Sequence, residues 1–479
     1  MTGRVLVASN RGPVGFVEEE GELVLKRGAG GLVTALAPAV QETGGLWVAS
    51  AMGPGDRRKA AEAPDGRLEV VLDDAKYRLR LLSFDDRTYD QAYNTISNRL
   101  LWFLHHYLWD LPRSPGLVEE TSRAWKGYRS FNRAFATALA EDVGEVVTDV
   151  LVQDYHLTLT PAELRKLAPD ARIAYFHHIP FAGPDYLRLL PEPMRDELLA
   201  GLLGADVVGF QWERWAENFL ASCRLLEGAE TIPRRGQVRW QGRVVRIGVY
   251  PISIDAAALR EAAVSAEVRK KRRALDAWRR DRALVLRVDR AELSKNLFRG
   301  FQAFGEFLGR HPEWRRRVVF LALLQPSRRS IPEYRRYTGE CLAAAERINA
   351  DYREPGWAPI EVRINDDHDE VLAAYGLYDV LVVNSLMDGM NLVAKEGPVI
   401  NRRAGTLVLS RNAGAYAELG RHALGVDPID VAGTAEALHR ALEMPVEERV
   451  RRARSVRRAA AAITPADWAS RQISDLESG

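Results

Sequence analysis

At 479 residues the chain is too long for one hydrophobic core, and two domains are predicted. Its 67 Lys and Arg against 65 Asp and Glu leave a formal net charge of +2, which excludes nucleic-acid binding driven by bulk positive charge. The only cysteines, Cys223 and Cys341, fit no metal or redox spacing, and no apolar run is long enough for a bilayer, so a cytoplasmic protein with no membrane partner is expected.

The first residues lead directly into an apolar run at 5–8, with no signal-peptide core. That run predicts a strand, with Ser9-Asn10-Arg11 at its carboxyl end. A hairpin over 15–26 follows, then Gly28-Ala29-Gly30-Gly31, a glycine cluster opening a helix. Gly30 and Gly31 let backbone N–H groups approach a phosphate, although glycines at a helix start are as often caps. Residues 46–49 predict another strand. The stretch 93–102 predicts an amphipathic helix bearing Tyr93 and Trp102, whose ordinary fate is the core. Strands at 150–152 and 173–176 end in Gln153-Asp154-Tyr155-His156 and His177-His178-Ile179-Pro180-Phe181. Adjacent residues on an extended chain face opposite ways, so His177 and His178 are unlike a metal pair. His178 reads better as a hydrogen-bond donor to a substrate. The basic run at 267–273 reads as a solvated helix face.

Beyond a boundary near Pro251 the alternation restarts, which predicts α/β folding with parallel sheets. A strand at 284–288 leads to Arg290 and Lys295, two cations on one connection, suited to a diphosphate if they are not merely a surface pair. A strand at 320–324 leads to Arg328, and one at 362–364 to Asn365-Asp366-Asp367. The run at 380–383 leads into Asp388-Gly389-Met390-Asn391-Leu392-Val393-Ala394-Lys395-Glu396. Open α/β sheets bind ligands at such strand ends, where helix N-termini favour anions. Asp388 and Glu396 would repel phosphate but accept from sugar hydroxyls, so the combination indicates a nucleotide sugar. The helix bearing Trp468 is expected to cross back to the first domain.

Taken together, SNRGPV, the GGL helix start, QDYHL, HHIPF, R…SK and DGMNLVAKE resemble retaining glycosyltransferases of the trehalose-6-phosphate synthase family, over nearly the whole chain. The resemblance implies a GT-B fold, two Rossmann-like domains facing across a cleft. Residues 1–250 would form an acceptor domain, 251–460 a nucleotide-sugar domain, and 461–479 the returning helix. It implies transfer of glucose from a nucleotide-diphosphate glucose to glucose 6-phosphate. Asp154, His178, Arg290 and Lys295 would carry the catalysis. Gly30, Gly31, Arg290, Lys295, Asn365, Asp388, Met390, Asn391, Leu392 and Glu396 would hold the donor. Arg11, Tyr93, Trp102, Asp154 and Arg328 would hold the acceptor. No metal and no cofactor are expected, since Arg290 and Lys295 would neutralise the leaving diphosphate, which itself takes the acceptor's proton. A homo-oligomer stays open.

Three departures stand out. Gln153 replaces the first histidine of the family's HDYH. Asp289-Arg290-Ala291-Glu292-Leu293-Ser294-Lys295 replaces an E-R-L-D-Y-S-K run, keeping the Arg-to-Lys spacing. Gly397-Pro398 replaces an aromatic. The segment Ile364-Asn365-Asp366-Asp367-His368-Asp369 resembles guanine-nucleotide users, and guanine offers paired N–H donors that carboxylates and amides accept. It leans the donor towards GDP-glucose, against the equal alternative of a solvated turn. Other readings are a glucosylglycerol-phosphate synthase, a cyclitol-coupling pseudo-glycosyltransferase and, more remotely, a silent regulatory subunit.

Overall fold

The computed structural model describes residues 4–28, 31–72, 75–144 and 148–478. The chain divides into two compact units, one of residues 1–252 and 465–479, the other of 253–464.

The first unit contains β1 (Arg4–Ser9), β2 (Val14–Glu19), β3 (Glu22–Arg27), β4 (Leu46–Ser50), β5 (Arg67–Leu72), β6 (Ala75–Leu82), β7 (Thr148–Gln153), β8 (Arg172–His177), β9 (Val207–Phe210), β10 (Glu230–Ile232), β11 (Gln237–Trp240) and β12 (Arg243–Val249). Ten of these form one sheet in the order β10-β11-β12-β9-β8-β7-β1-β4-β6-β5. Its central strands, from β12 across to β6, are parallel. The inner ones are largely apolar because helices cover both faces; every residue of β4 and β7 is buried. The hairpin β2–β3 pairs Glu19 with Glu22, and its two-residue turn, Glu20-Gly21, has φ of 53° and 87°. Positive φ at both central positions matches the twist of the flanking strands.

The second unit contains β13 (Ala283–Arg290), β14 (Val318–Gln325), β15 (Ile360–Ile364), β16 (Val380–Val383), β17 (Thr406–Ser410) and β18 (Leu424–Val426). All pair parallel, in the order β15-β14-β13-β16-β17-β18. Counted from β13, that is the doubly wound order 3-2-1-4-5-6. Each unit is thus Rossmann-like, and each reverses its strand order once: between β1 and β7 in the first, between β13 and β16 in the second. At these switch points the connections diverge and open a crevice at the strands' carboxyl ends.

The helix Pro465–Glu477 belongs to the first unit. Trp468 is fully buried against Phe176, and its indole N–H donates to the Tyr250 carbonyl over 3.0 Å. Arg246 and the Tyr250 hydroxyl both bond Asp475. One element departs from expectation. Where the sequence predicts an ordinary α-helix around 93–102, residues Asp90–Leu101 wind as a π-helix. Such widened turns are rare and occur mostly at functional sites.

Candidate active site

In the second unit, β13 ends in Asp289 and Arg290, and a tight turn brings the chain to Lys295 before the helix Leu297–Arg310. Asn296 makes this turn with φ of 59°, and its amide donates to the Asn384 and Pro428 carbonyls. Across the switch point, the loop after β16 carries Asp388. The Lys295 ammonium lies 2.5 Å from the Asp388 carboxylate, each side chain about one-eighth exposed. Burial works to deprotonate Lys295, but Asp388 and Asp289 outweigh it and hold its pKa above the ordinary value. Asp388 also accepts from Ser385 Oγ and Asn391 Nδ2. One point therefore offers a cation to phosphate oxygens and a carboxylate to sugar hydroxyls.

Beneath it lies Arg287, wholly buried. It donates to Asp289, to the Lys295 carbonyl and to Asn384 Oδ1, tying the connections after β13 and β16 together. Arg290 and Arg328 both meet Glu292, whose Oε1 accepts from them over 3.0 and 3.3 Å and from Ser327 Oγ over 2.7 Å. Burial pushes the Glu292 carboxyl up, yet the fields of Arg290, Arg328 and Lys295 outweigh it and hold it down at about 2. Arg328 sits at φ 42° and donates to the Tyr334 hydroxyl. Arg287, Arg290, Lys295 and Arg328 outnumber Asp289, Glu292 and Asp388 by one cation.

The helix Val393–Ile400 begins directly after Leu392, whose carbonyl accepts from Lys395 N and Glu396 N, so the first turn closes onto this loop. Asn391, at φ 81°, accepts from Ala394 N. Met390 is buried and Leu392 half-buried. The loop is held from below by a second one, in which Gly414 N and Ala415 N donate to the Asp388 and Met390 carbonyls. A side chain at Gly414 would meet the Gly389 carbonyl oxygen at 2.0 Å, so the closeness requires glycine. Lys395 points elsewhere, into a buried ion pair with Glu418 at 2.6 Å. Glu396 is half-buried and accepts from the Tyr375 hydroxyl; burial raises its pKa. Asn365 donates to Glu370, Asp366 accepts from Gln325, and Asp367 pairs with Lys271 while capping the helix His368–Tyr375.

In the first unit, Arg11 is exposed at the end of β1, beyond a brace in which Trp47 donates to Ser9 and Ser50 to Asn10. Gly31 begins the helix Gly31–Glu42, and Gly30 lies outside the described residues. Across the switch point stands Asp154, with φ of 73° and ψ of 166°. That conformation is nearly confined to glycine and costs on the order of 1–3 kcal/mol, a strain that clusters at active sites. Residues 154–156 collect the other expected positions: His156 stacks on Tyr93 and lies 3.9 Å from Asp154, while Tyr155 packs on Trp102 and donates to Asn98. Tyr93 and Asn98 both lie on the π-helix.

His178 departs from its expected role. The Ile252 N–H donates to Gln211 Oε1 over 2.8 Å, so the Gln211 amide NH₂ faces His178 Nδ1, at 3.4 Å. Nδ1 is then the acceptor, and the ring proton sits on Nε2, donated to Gln153 Oε1 over 2.9 Å. Burial pushes the His178 pKa down to about 3, keeping the ring neutral. Its single N–H is committed within the protein rather than to a substrate.

Among the described residues, one group of three ligand-type side chains converges: His311, Glu313 and His439. The two rings stack with centroids 3.6 Å apart and planes within 10°. Imidazole lone pairs lie in the ring plane, so two parallel rings cannot aim at one ion, and this cluster is not built for a metal.

Residues 3–478 match the family model described as Glycosyltransferase family 20. The chain belongs to this family. It is 37% identical to the trehalose-6-phosphate synthase of Mycobacterium avium, over 99% of this chain and 95% of that protein. Its fold matches the E. coli trehalose-6-phosphate structure solved with UDP-2-fluoro glucose, with TM-score 0.86, 30% identity and 99% of each chain covered. It also matches a UDP-forming α,α-trehalose-phosphate synthase of Burkholderia xenovorans in complex with glucose-6-phosphate. There the TM-score is 0.84 and identity 30%, covering 99% of this chain and all of that one. This family 20 chain is therefore a retaining glycosyltransferase of GT-B fold. No described helix is long and apolar enough to cross a membrane.

Sequence reasoning placed Asp154, Arg290, Lys295 and Asp388 at or just beyond strand ends, and the structure has them there. That reasoning missed Arg287, Glu292, Gln211 and Gly414, which meet their partners only in three dimensions. For Glu292 a signal existed, since an acidic residue occupies the corresponding place of the family's E-R-L-D-Y-S-K run.

Proposed function

We propose that this chain is an α,α-trehalose-6-phosphate synthase, transferring glucose from a nucleoside diphosphate glucose to glucose 6-phosphate with retention. The observation that carries the reading is the Lys295–Asp388 pair at the second unit's switch point, with Arg290 on the same connection. Arg290 and Lys295 neutralise the departing diphosphate, so no metal and no cofactor is called for. Asp388, with Met390, Asn391 and Leu392 on the same loop, holds the glucosyl hydroxyls, and Glu396 the ribose. Gly30 and Gly31 serve the donor phosphates. Arg11, Tyr93 and Trp102 serve the acceptor, and Arg328 supplies a cation for its phosphate. Asp154 accepts from sugar hydroxyls near the reacting carbon, while His178 is a fixed neutral surface beside it. The diphosphate oxygen itself receives the acceptor's proton, as retention through same-face attack requires. Residues 1–252 with 465–479 act as the acceptor domain and 253–464 as the donor domain, in a cytoplasmic enzyme.

Part of the loop that prompted the guanine lean is engaged within the protein. Asp366 and Asp367 serve Gln325, Lys271 and a helix cap, and the Asn365 amide serves Glu370. The donor proposed follows the UDP-forming relative. The deciding experiment supplies glucose 6-phosphate with UDP-, GDP- or ADP-glucose and measures trehalose 6-phosphate. Product from UDP-glucose is expected. Product from GDP-glucose alone would restore Asn365–Asp367 as the reader of the base, and no product from any donor would overturn the synthase reading.

A further inference from the structure

Glu292 never reaches the protein surface: its side chain is 0% exposed, so it meets no substrate directly. Its position is nevertheless unusual. A single carboxylate oxygen accepts from the Arg290 guanidinium, the Arg328 guanidinium and the Ser327 hydroxyl. Arg290 ends β13 and is paired in register with Gln325, the last residue of β14; Arg328 follows three residues later. Neighbouring parallel strands thus deliver two cations to the same place. Two guanidinium groups so close repel one another unless an anion lies between them, and in this low-dielectric setting the repulsion is costly. Glu292 is that anion. The turn holds it there, since its own N–H donates to the Arg290 carbonyl over 2.8 Å.

We propose that Glu292 is a positioning residue that orients the donor-diphosphate cation and the acceptor-phosphate cation from one shared oxygen. The binding of the two substrates is thereby tied to one buried group. This rests on the roles given above to Arg290 and Arg328. In the proposal, Arg328 is locked between Glu292 and the Tyr334 hydroxyl and has little freedom, being 11% exposed. Arg290, 44% exposed, keeps one face for the diphosphate.

The test is a double-mutant cycle read on both Michaelis constants. Glu292→Gln keeps size and removes charge. It is expected to raise KM for the nucleotide sugar and for glucose 6-phosphate, each about tenfold, with a smaller change in kcat. Arg328→Ala alone should raise only the acceptor KM, and Arg290→Ala should mainly impair the donor side. The decisive variant is Glu292→Gln in the Arg328→Ala background. There the acceptor KM should rise no further, while the donor KM still rises, because Glu292 reaches the acceptor only through Arg328. Full additivity on the acceptor KM, or a rise in one KM alone from Glu292→Gln, would overturn the proposal. Unchanged constants in Arg290→Ala and Arg328→Ala would instead overturn the site assignment beneath it. The same cycle with Glu292→Asp, which retains the buried charge and only withdraws the oxygen, keeps the test available should the neutral variant not fold.

Discussion

The two switch points use opposite physics. In the second unit the crevice is lined with charge: Lys295 on Asp388, Arg290 and Arg328 on Glu292, Arg287 on Asp289, all at strand ends and mostly buried. In the first unit the side chains around Asp154 are aromatic or neutral: Tyr93, Tyr155, Trp102 and His156 packed together, with His178 kept uncharged by burial and oriented by Gln153 and Gln211. A departing diphosphate needs fixed cations that cost no reorganisation when its charge develops. The neutral ring of a sugar needs shape and directed hydrogen bonds instead. The first unit obtains its direction from strain, placing a non-glycine residue in a glycine conformation at Asp154.

Substitutions can break this contrast. The largest effect is expected at Arg290: Arg290→Ala should lower kcat/KM by about 10³-fold, as losing a preorganised charge-stabilising donor does, with the fold intact by circular dichroism. Near-normal activity would remove Arg290 from the donor site. Asp154→Gly should lower activity about 100-fold while raising the thermal midpoint, since glycine accepts φ 73° without strain; Asp154→Asn should lose activity without that gain. A midpoint that falls in the glycine variant would refute the strain argument.

The neutral histidines give a pH signature. His177 is fully buried, and burial pushes its pKa down to about 3, as at His178. Between those values and the ordinary 6.5 the unfolded chain binds more protons, so the stability they confer is complete above about pH 6.5 and is lost as pH falls towards 3. Going from pH 7 to pH 5 should cost about 2 kcal/mol per histidine. His177→Phe should flatten the dependence of the thermal midpoint over that interval; an unchanged slope would assign the acid sensitivity to other groups. The smallest effect is expected at Asp367. Asp367→Ala removes a helix cap and should cost about 1 kcal/mol without altering the preference among UDP-, GDP- and ADP-glucose. A shifted preference would return that loop to base recognition.

Much of the fold was legible because parallel strands buried on both faces are continuous apolar runs, and 380–383 or 150–152 can hardly be anything else. The strand-end residues were legible for the same reason, since a loop that follows such a run is at the ligand end of its sheet. The π-helix was not, because Tyr93 and Trp102 sit in a pattern that an ordinary helix satisfies as well. Nor was the commitment of the His178 N–H, which depends on an amide turned by the backbone of Ile252, far along the chain.

By itself the sequence determined the alternation of strands and helices, the restart that makes two Rossmann-like units, and the kinds of side chain at each strand end. Only the tertiary structure decided which charges share a partner. Lys295 finds Asp388 because β13 and β16 are neighbours at the switch point, and Arg328 finds Glu292 because β14 lies beside β13. The strength of a charge interaction is set by separation and burial, and neither exists as a quantity until the strands have paired.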